Sequence, residues 1–360
     1  MLWKIIFLLS IMLLGVSGYI LTKQENRDLQ KYCGTGLNTP KLKQKVHAGS
    51  KKKFADAPWI ADVRAKNAKS YGLQDRDRAE ATGSLISPRH ILTYWSAFEK
   101  RRHHIFSEGY YKNVTDFKKY CQGTDFVMDE AYTSQTNVAF YIGNTTAYSS
   151  IEKITVLDFC DGKYTNRDRP MLVELKTLPG DYARPVCLNF EKSAWATKRQ
   201  PLTVFGHGIN KGFANHEFFE EAMLERPCST PEPDIICAHM PKRGEFLRLE
   251  DIGIGMLGNN GNQRSLVGIN VDSFTHSNHL LTYKFAHVAY YQEKICKLTG
   301  VCKIDPTDLE EDDETTKKPS TEKMKPNEMA ENDAKPQTGK STGVENHFHN
   351  ININIYAGKQ

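Results

Sequence analysis

The side chains that could bind a metal lie in three short clusters of histidine and cysteine. A zinc site takes about four nitrogen or sulfur ligands, usually as two properly spaced pairs. Each cluster supplies one pair, and no second pair is spaced to join it, so we predict no metal site and no other cofactor. The pairs are Cys237 with His239, His103 with His104, and His347 with His349.

Hydrolytic chemistry at a serine would need a base within hydrogen-bond reach of the hydroxyl. No motif places a histidine beside Ser84, Ser96 or Ser265. We therefore expect none of these three serines to act as a nucleophile.

Two stretches nevertheless have the character of the surroundings of a catalytic residue. They are residues 83–98, GSLISPRHILTYWSAF, and residues 246–259, FLRLEDIGIGMLGN. In both stretches the residue that would do the chemistry is missing.

The elements that must position these stretches are predicted to be short β-strands. From Pro58 to about Val301, apolar runs rich in β-branched and aromatic residues alternate with turn residues. Phe285 to Leu298 has helical spacing and is predicted to close the domain as a helix. The clearest strand candidates are GSLIS, HILTYW, ITVLDF, MLVEL, LTVFGHG and SLVGINV.

The amino terminus predicts a cleaved secretory signal over residues 1–18. Lys4 precedes an apolar run, and the small residues Gly15, Ser17 and Gly18 follow it. The alternative is an uncleaved signal anchor, since the apolar run continues for three residues more and nearly reaches the length that spans a bilayer. With the signal cleaved, the protein is expected to be extracellular and free of the membrane.

Eight cysteines follow the signal, and an even number in an exported chain predicts disulfides. Spacing alone does not choose among the many possible pairings. Asn113 and Asn144 begin glycosylation sequons, which fits an extracellular surface. The cysteines are Cys33, Cys121, Cys160, Cys187, Cys228, Cys237, Cys296 and Cys302.

Residues 303–360 differ in character from the rest of the chain. Most of this tail is polar, with many charged residues and little to bury, which predicts disorder. Near its end, Ile351, Ile353 and Ile355 alternate with asparagine at the period of a strand. Such an uncharged alternation favours edge pairing, so the tail is a candidate for binding another chain or for self-association.

A lysine-rich stretch, Lys41 to Lys53, holds six lysines in thirteen residues. Such a run can bind polyanions of the heparin type, and it is also typical of an exposed loop that proteases reach. We predict an exposed loop, with polyanion binding as the alternative and no specific nucleic-acid partner.

Nine motifs follow one another in a fixed order: KVHAG, PW, GSLISPRHILT, MLVEL, PVCL, TVFGHG, IICA, EDIGIG and LVGI. This order resembles the chymotrypsin family of serine peptidases, and within it a divergent, nematode-expanded branch of secreted homologues. The resemblance covers about residues 33–302. It implies an all-β domain over residues 46–302, made of two six-stranded antiparallel β-barrels packed face to face with a cleft between them. A propeptide-like segment would occupy residues 19–45.

The resemblance assigns the family's three catalytic positions to residues that cannot do the chemistry. The general-base histidine falls at Ser96, whose hydroxyl has no proton affinity near neutral pH. The aspartate that orients the histidine falls at Arg169, beside Asp168, and the nucleophile falls at Ile252. Glu250 replaces the glycine whose amide helps to stabilise the oxyanion, and a carboxylate there would oppose the developing negative charge.

The cysteine pattern supports this register. The two cysteines that brace the histidine loop in the family correspond to Ala81 and Ala97, so that bridge is missing as a unit. The bridge near the specificity pocket is also missing, because Arg248 stands where one of its cysteines would be.

The resemblance also implies disulfides for this chain. One ties the propeptide-like segment to the domain, and another lies before the active-site loop. The remaining four cysteines pair by elimination. The expected pairs are Cys33 with Cys187, Cys228 with Cys237, Cys121 with Cys160, and Cys296 with Cys302.

One position with a functional role in the family is retained, namely Asp251. In active relatives the corresponding aspartate pairs with the amino terminus that activation cleavage creates, which here would be Val46 after a cut at Lys45. A buried ion pair of this kind can act as a two-state switch. The alternative is that Asp251 only caps a turn.

Together these observations predict a secreted, disulfide-bonded serine peptidase homologue that is catalytically inactive. It would act by binding a protein or peptide partner in the extracellular space. Two alternatives stay open at this point: a residual serine endopeptidase with an unorthodox site, and a protein whose tail makes the interaction while the barrels carry it.

Overall fold

The computed structural model describes fifteen stretches of the chain. All statements about structure below concern these residues, which are 18–36, 50–52, 56–65, 80–94, 119–134, 136–142, 145–161, 169–191, 202–206, 218–229, 232–241, 247, 252–260, 262–275 and 281–304.

The described residues are mostly strand. The helices are α1 (Lys23–Tyr32), α2 (Glu130–Thr133), a 3-10 helix (Val288–Tyr291) and α3 (Gln292–Thr299). The strands are β1 (Ser50–Lys52), β2 (Ile60–Ala65), β3 (Glu80–Ser87), β4 (His90–Tyr94), β5 (Cys121–Gln122), β6 (Asp125–Val127), β7 (Thr136–Ile142), β8 (Thr145–Val156), β9 (Pro170–Leu175), β10 (Cys187–Leu188), β11 (Leu202–Gly206), β12 (Phe218–Arg226), β13 (Ile235–His239), β14 (Gly255–Asn260), β15 (Gln263–Thr275) and β16 (Leu281–His287).

The first barrel is a closed ring of six antiparallel strands in the order β8-β7-β2-β3-β4-β9, with β9 pairing back to β8. Every residue of β4 and of β9 is buried. The hairpin of β5 and β6 extends this sheet from β8. Closure pairs both edges of each of the six ring strands, so the ring presents no free edge.

The second barrel is a closed ring in the order β12-β11-β14-β15-β16-β13, with β13 pairing back to β12. Strand β1 adds to β12, and β10 adds in parallel to β15. Two closed six-stranded rings confirm the all-β double-barrel fold that the resemblance implied.

The two barrels share one contiguous hydrophobic core. Trp59, just before β2, packs edge-on against Phe205 of β11, with ring centroids 6.0 Å apart. The linker between the barrels is bonded to the first one, because the Val186 amide donates to the Leu85 carbonyl over 2.8 Å. Burying a large apolar side chain, such as that of Phe205, stabilises the fold by about 1.5–3 kcal/mol.

The carboxyl-terminal helix is present but begins later than its spacing predicted. Phe285 pairs with Ile236 on one side and with Asn270 on the other, so it belongs to β16 and not to a helix. These ladder bonds complete the second ring, and that tertiary requirement overrides the local helical pattern. The 3-10 helix follows β16, and α3 begins at Gln292.

The amino-terminal segment contains a helix that the sequence analysis did not predict. Thr22 caps α1, because its hydroxyl accepts from the Glu25 amide while the Glu25 carboxylate accepts from the Thr22 amide. This reciprocal arrangement satisfies two amides that the first turn would leave unbonded. Leu29 is fully buried on the inner face of the helix.

Further contacts attach this segment to the end of the domain. The Leu21 amide donates to the Thr299 carbonyl over 2.9 Å, and Asn26 Nδ2 donates to the Cys302 carbonyl over 3.0 Å. The described part of the propeptide-like segment, residues 19–36, is therefore folded onto the domain by more than a disulfide.

Four disulfides are present in the described chain, and they are the four pairs expected above. They join residues that are 154, 39, 9 and 6 positions apart, and the longer loops constrain the unfolded chain most. The pairs are Cys33–Cys187, Cys121–Cys160, Cys228–Cys237 and Cys296–Cys302.

Several predicted features lie outside the described residues. They are most of the signal segment, most of the lysine-rich stretch, the sequons at Asn113 and Asn144, and the tail from residue 305 onward. Among the helices that are described, none has the length and apolarity to cross a membrane.

Candidate functional site

The resemblance placed the candidate site at the catalytic positions of the family. Arg169 and Ile252 fall within the described residues, and they are buried with 6% and 8% of their surface exposed. The remaining site residues, Ser96, Glu250, Asp251 and Val46, lie outside the described residues, and their roles stay predictions.

The segment that begins at Ile252 runs between the two barrels and is bonded to both. The Thr82 amide of β3 donates to the Ile252 carbonyl over 3.0 Å. On the other side, the Gly253 amide donates to the Asn270 carbonyl of β15, and the Asn270 amide donates to the Ile254 carbonyl, both over 2.9 Å. These three bonds fix the backbone at the position that the resemblance assigns to the nucleophile.

Glycine is required at the next position by a close approach. Gly253 has φ +86°, in the region that residues with a side chain rarely adopt. A β-carbon there would lie 2.3 Å from the Thr82 carbonyl oxygen and 2.4 Å from Thr93 Oγ1. Thr93 Oγ1 itself donates to the Thr82 carbonyl over 2.7 Å, so neither oxygen is free to withdraw.

Ile252 contributes its side chain to the hydrophobic core. An isoleucine side chain has no lone pair and no ionisable proton, so it can neither attack a carbonyl carbon nor exchange a proton. At this position the side chain packs in the core and the backbone forms hydrogen bonds.

Arg169 directly precedes β9 and lies next to the end of β4, where Tyr94 pairs with Pro170. Its guanidinium reaches two carboxylates. Nη2 lies 2.8 Å from Asp161 Oδ2, and Nη1 lies 3.3 Å from Asp234 Oδ2. Arg169 and Asp161 belong to the first barrel, whereas Asp234 precedes β13 of the second, so the cation connects the two barrels.

A tyrosine completes this cluster. The Tyr291 hydroxyl donates to Asp234 Oδ2 over 3.0 Å and accepts from Arg169 Nη1 over 3.3 Å. Burial, reinforced by the Asp234 charge, raises the pKa of Tyr291, so the phenol stays protonated and remains a donor. Burial alone would lower the pKa of Arg169, but Tyr291, Asp161 and Asp234 outweigh it and raise that pKa.

The cluster places one positive charge between two negative charges in a buried setting. A guanidinium cannot accept a proton near neutral pH, and it would repel an imidazolium beside it. Arg169 is therefore suited to joining the barrels, and it is unsuited to supporting a catalytic histidine.

The described residues contain one serine–histidine pair that sequence reasoning missed. Ser87 Oγ lies 2.7 Å from His90 Nδ1, and the two residues are three apart across the turn between β3 and β4. Ser87 is fully buried and His90 is 1% exposed. Burial lowers the pKa of His90 to about 4, so this histidine is a weak base and its serine does not meet solvent.

Among the described residues no group of three or more histidine, cysteine or acidic side chains is arranged to hold a metal ion.

The architecture defines the class of protein. Two closed six-stranded antiparallel rings, with a segment between them that is bonded to both, form the double barrel of the chymotrypsin-like peptidase homologues. Residues 3–302 match the nematode trypsin-6-like family, and the chain belongs to that family. A comparison with curated proteins finds no match.

The close approach at Gly253 predicts a large loss of stability for Gly253→Ala. Gly123 provides a matched control, because it also has positive φ, +66°, but a β-carbon added there would meet nothing within 4 Å. We expect Gly123→Ala to lower the free energy of unfolding by about 1 kcal/mol, from the backbone alone. Gly253→Ala should cost about 3 kcal/mol, because steric overlap adds to the same backbone strain. Equal losses in urea unfolding would contradict the close approach.

The charge cluster predicts that Arg169→Met is strongly destabilising, because it leaves two carboxylates buried without their cation. Breaking a buried pair in this way costs about 3–5 kcal/mol. The control is Lys176→Met, which removes an ion pair with Glu152 whose side chains are 67% and 51% exposed. That loss should stay below about 1 kcal/mol. If urea unfolding gives similar losses for both variants, Arg169 does not join the barrels.

Proposed function

We propose that this protein is a secreted serine peptidase homologue without catalytic activity, which acts by binding a protein or peptide partner. The observation that carries the proposal is the state of Ile252. The residue at the position of the family's nucleophile is buried in the core, carries no nucleophilic atom and is bonded through its backbone to Thr82. A substrate carbonyl would find no nucleophile there.

The second position supports the same conclusion. Where the family has a carboxylate that holds the catalytic histidine, Arg169 contacts Asp161 and Asp234. The resemblance adds Ser96 in place of the base and Glu250 in place of an oxyanion glycine. The nucleophile, the base and the orienting acid would all be replaced, and a carboxylate side chain would stand beside the oxyanion site.

The extracellular location is supported by the cysteines and by the first residues. All eight cysteines are paired, and structural disulfides persist in oxidising compartments. The signal-like residues 1–18 would deliver the chain to such a compartment.

A binding role is consistent with a fold that keeps its scaffold and lacks catalytic residues. Loops carried by a rigid scaffold are suited to recognition, and the described barrels provide such a scaffold through closed rings, a shared core and four disulfides. A peptide bound between the barrels would be held and released intact.

The rival function, a residual endopeptidase with an unorthodox site, finds its best described candidate in Ser87 and His90. That pair fails as a site because a nucleophile must reach the substrate, and Ser87 has no exposed surface. The low pKa of His90 also removes most of its power as a general base near neutral pH.

A fluorophosphonate probe tests the absence of catalysis, because it labels serines that a base activates. We expect no labelling of the folded, secreted protein at a pH of about 7.5, since the two described catalytic positions hold Arg169 and Ile252. An active trypsin in the same mixture serves as the positive control. Covalent labelling of the folded chain that prior denaturation abolishes would overturn the proposal.

The binding role and the tail-mediated alternative are separated by comparing the full chain with a chain that ends at Glu310, where the compact unit that contains both barrels ends. A partner of the barrels is retained from secreted fluid by both chains and elutes uncleaved. A partner that is lost with residues 311–360 assigns the interaction to the tail instead.

A further inference from the structure

Two buried side chains face the same place on neighbouring strands of the first barrel. His90 of β4 and Glu174 of β9 are direct partners across the ladder, so their side chains lie on the same face. Both are buried, with 1% and 7% of their surface exposed. A cavity of about 140 Å³ opens beside them, and Gly18, Ile20 and Lys153 help to line it.

Glu174 is a buried acid with little compensation. The Tyr19 amide donates to its Oε1 over 2.5 Å. No cation lies within ion-pair distance of its carboxylate among the described residues. Burial raises the pKa of Glu174, and the Tyr19 amide and the more distant Lys153 oppose that change. A buried carboxylate with one neutral donor is an unfavourable arrangement unless a cation joins it.

His90 lies beside Tyr19 as well. Its Nδ1 is bonded to Ser87, and its Nε2 is buried. The Tyr19 backbone opposes, in part, the lowering of the His90 pKa by burial. A neighbour that favours the protonated imidazole is an acceptor, so this neighbour is the Tyr19 carbonyl and not its amide. Glu174 is therefore the acceptor that the structure gives the Tyr19 nitrogen.

We propose that the chain is cut between Gly18 and Tyr19 during secretion, and that the new α-ammonium group of Tyr19 forms a buried ion pair with Glu174. The amide that now donates to Glu174 is the same nitrogen that would become this ammonium. Cleavage changes a neutral donor into a charged one and supplies the cation that Glu174 lacks. This pair is distinct from the one expected between Val46 and Asp251, and it does not depend on whether the barrels are catalytic.

Other contacts hold Tyr19 in place after such a cut. The Arg89 guanidinium lies 4.7 Å from the centre of the Tyr19 ring, and the Tyr19 hydroxyl donates to the Glu25 carboxylate. Two residues on, the Leu21 amide is bonded to the Thr299 carbonyl. The new terminus would therefore stay beside Glu174 without the residues before it.

Gly18 occupies the space beside the Glu174 carboxylate before the cut. A β-carbon on Gly18 would lie 2.3 Å from Glu174 Oε2, so the residue fills the space next to that oxygen. Its removal gives the ammonium room to reach both carboxylate oxygens. Gly18 also supplies the small residue that a signal peptidase needs directly before the bond it cuts.

The pair would make stability depend on pH in a defined direction. An α-amino group has an ordinary pKa of about 7.7–8.0, and a buried carboxylate beside it raises that pKa. The stabilisation is complete below the ordinary pKa and is lost as the pH rises through the raised one. The other charges that face Glu174, namely Lys153, Arg89 and Glu152, are the same in the two chain lengths and cancel when one variant is compared between those lengths.

The test compares a chain that begins at Tyr19, released from a removable fusion, with a chain that keeps residues 15–18. Each is made with Glu174 and with Glu174→Gln, which preserves the shape and an acceptor oxygen. In the chain that begins at Tyr19 we expect Glu174→Gln to lower the Tm by about 5 °C or more at a pH of about 7, and by much less at a pH of about 10. In the longer chain the same substitution should have a small effect at both pH values. Glu152→Gln is the control for a general change of charge.

An equal effect of Glu174→Gln in both chains would overturn the ion pair and leave Glu174 as an acceptor for a backbone amide. Amino-terminal sequencing of the protein secreted from cells tests the cut itself, and Tyr19 is the expected first residue. A mature chain that begins at any other residue would overturn the assigned cleavage. Neither result bears on probe labelling, so failure here is distinguishable from failure of the proposed function.

Discussion

The buried guanidinium of Arg169 is the charge on which the connection between the two barrels depends. It contacts Asp161 from the first barrel and Asp234 from the second. The Tyr291 hydroxyl forms hydrogen bonds with both Arg169 and Asp234. Because the cluster is buried, removing the cation would leave like charges facing each other in a medium that screens them poorly. Arg169 is thus part of the structure that holds the two barrels together.

Ile252 and Gly253 also contribute to the contact between the barrels. The backbone there runs between the barrels within hydrogen-bond distance of Thr82 and Asn270, and a glycine is needed because two oxygens occupy the space that a β-carbon would take. The segment that would present a nucleophile in an active peptidase holds the scaffold together here. The backbone bonds at this segment do not depend on the side chain at Ile252, so the segment can keep its place in the fold whatever that side chain is. The amino-terminal segment adds to this scaffold, because helix α1 and the Cys33–Cys187 bridge attach it to the domain.

The sequence predicted what depends on local pattern and on motif order. Strand candidates such as HILTYW and MLVEL became β4 and β9, and the four cysteine pairs agree with the structure. Helix α1 was missed although Thr22 and Glu25 form a recognisable capping box. The late start of α3 could not be predicted, because Phe285 is held in β16 by strands distant in sequence. The contact of Arg169 with Asp234 could not be predicted either, because Asp234 lies 65 residues away in sequence and only the fold brings it near.

The central claim is that two catalytic positions of the family serve the structure in this chain. The most direct test is the urea midpoint of a chain that carries both Arg169→Asp and Ile252→Ser, the residues an active relative would have there. We predict that the midpoint falls by about 1 M or more, because a third carboxylate replaces the buried cation and a polar hydroxyl replaces a core side chain. A midpoint equal to that of the unmodified protein would contradict the claim.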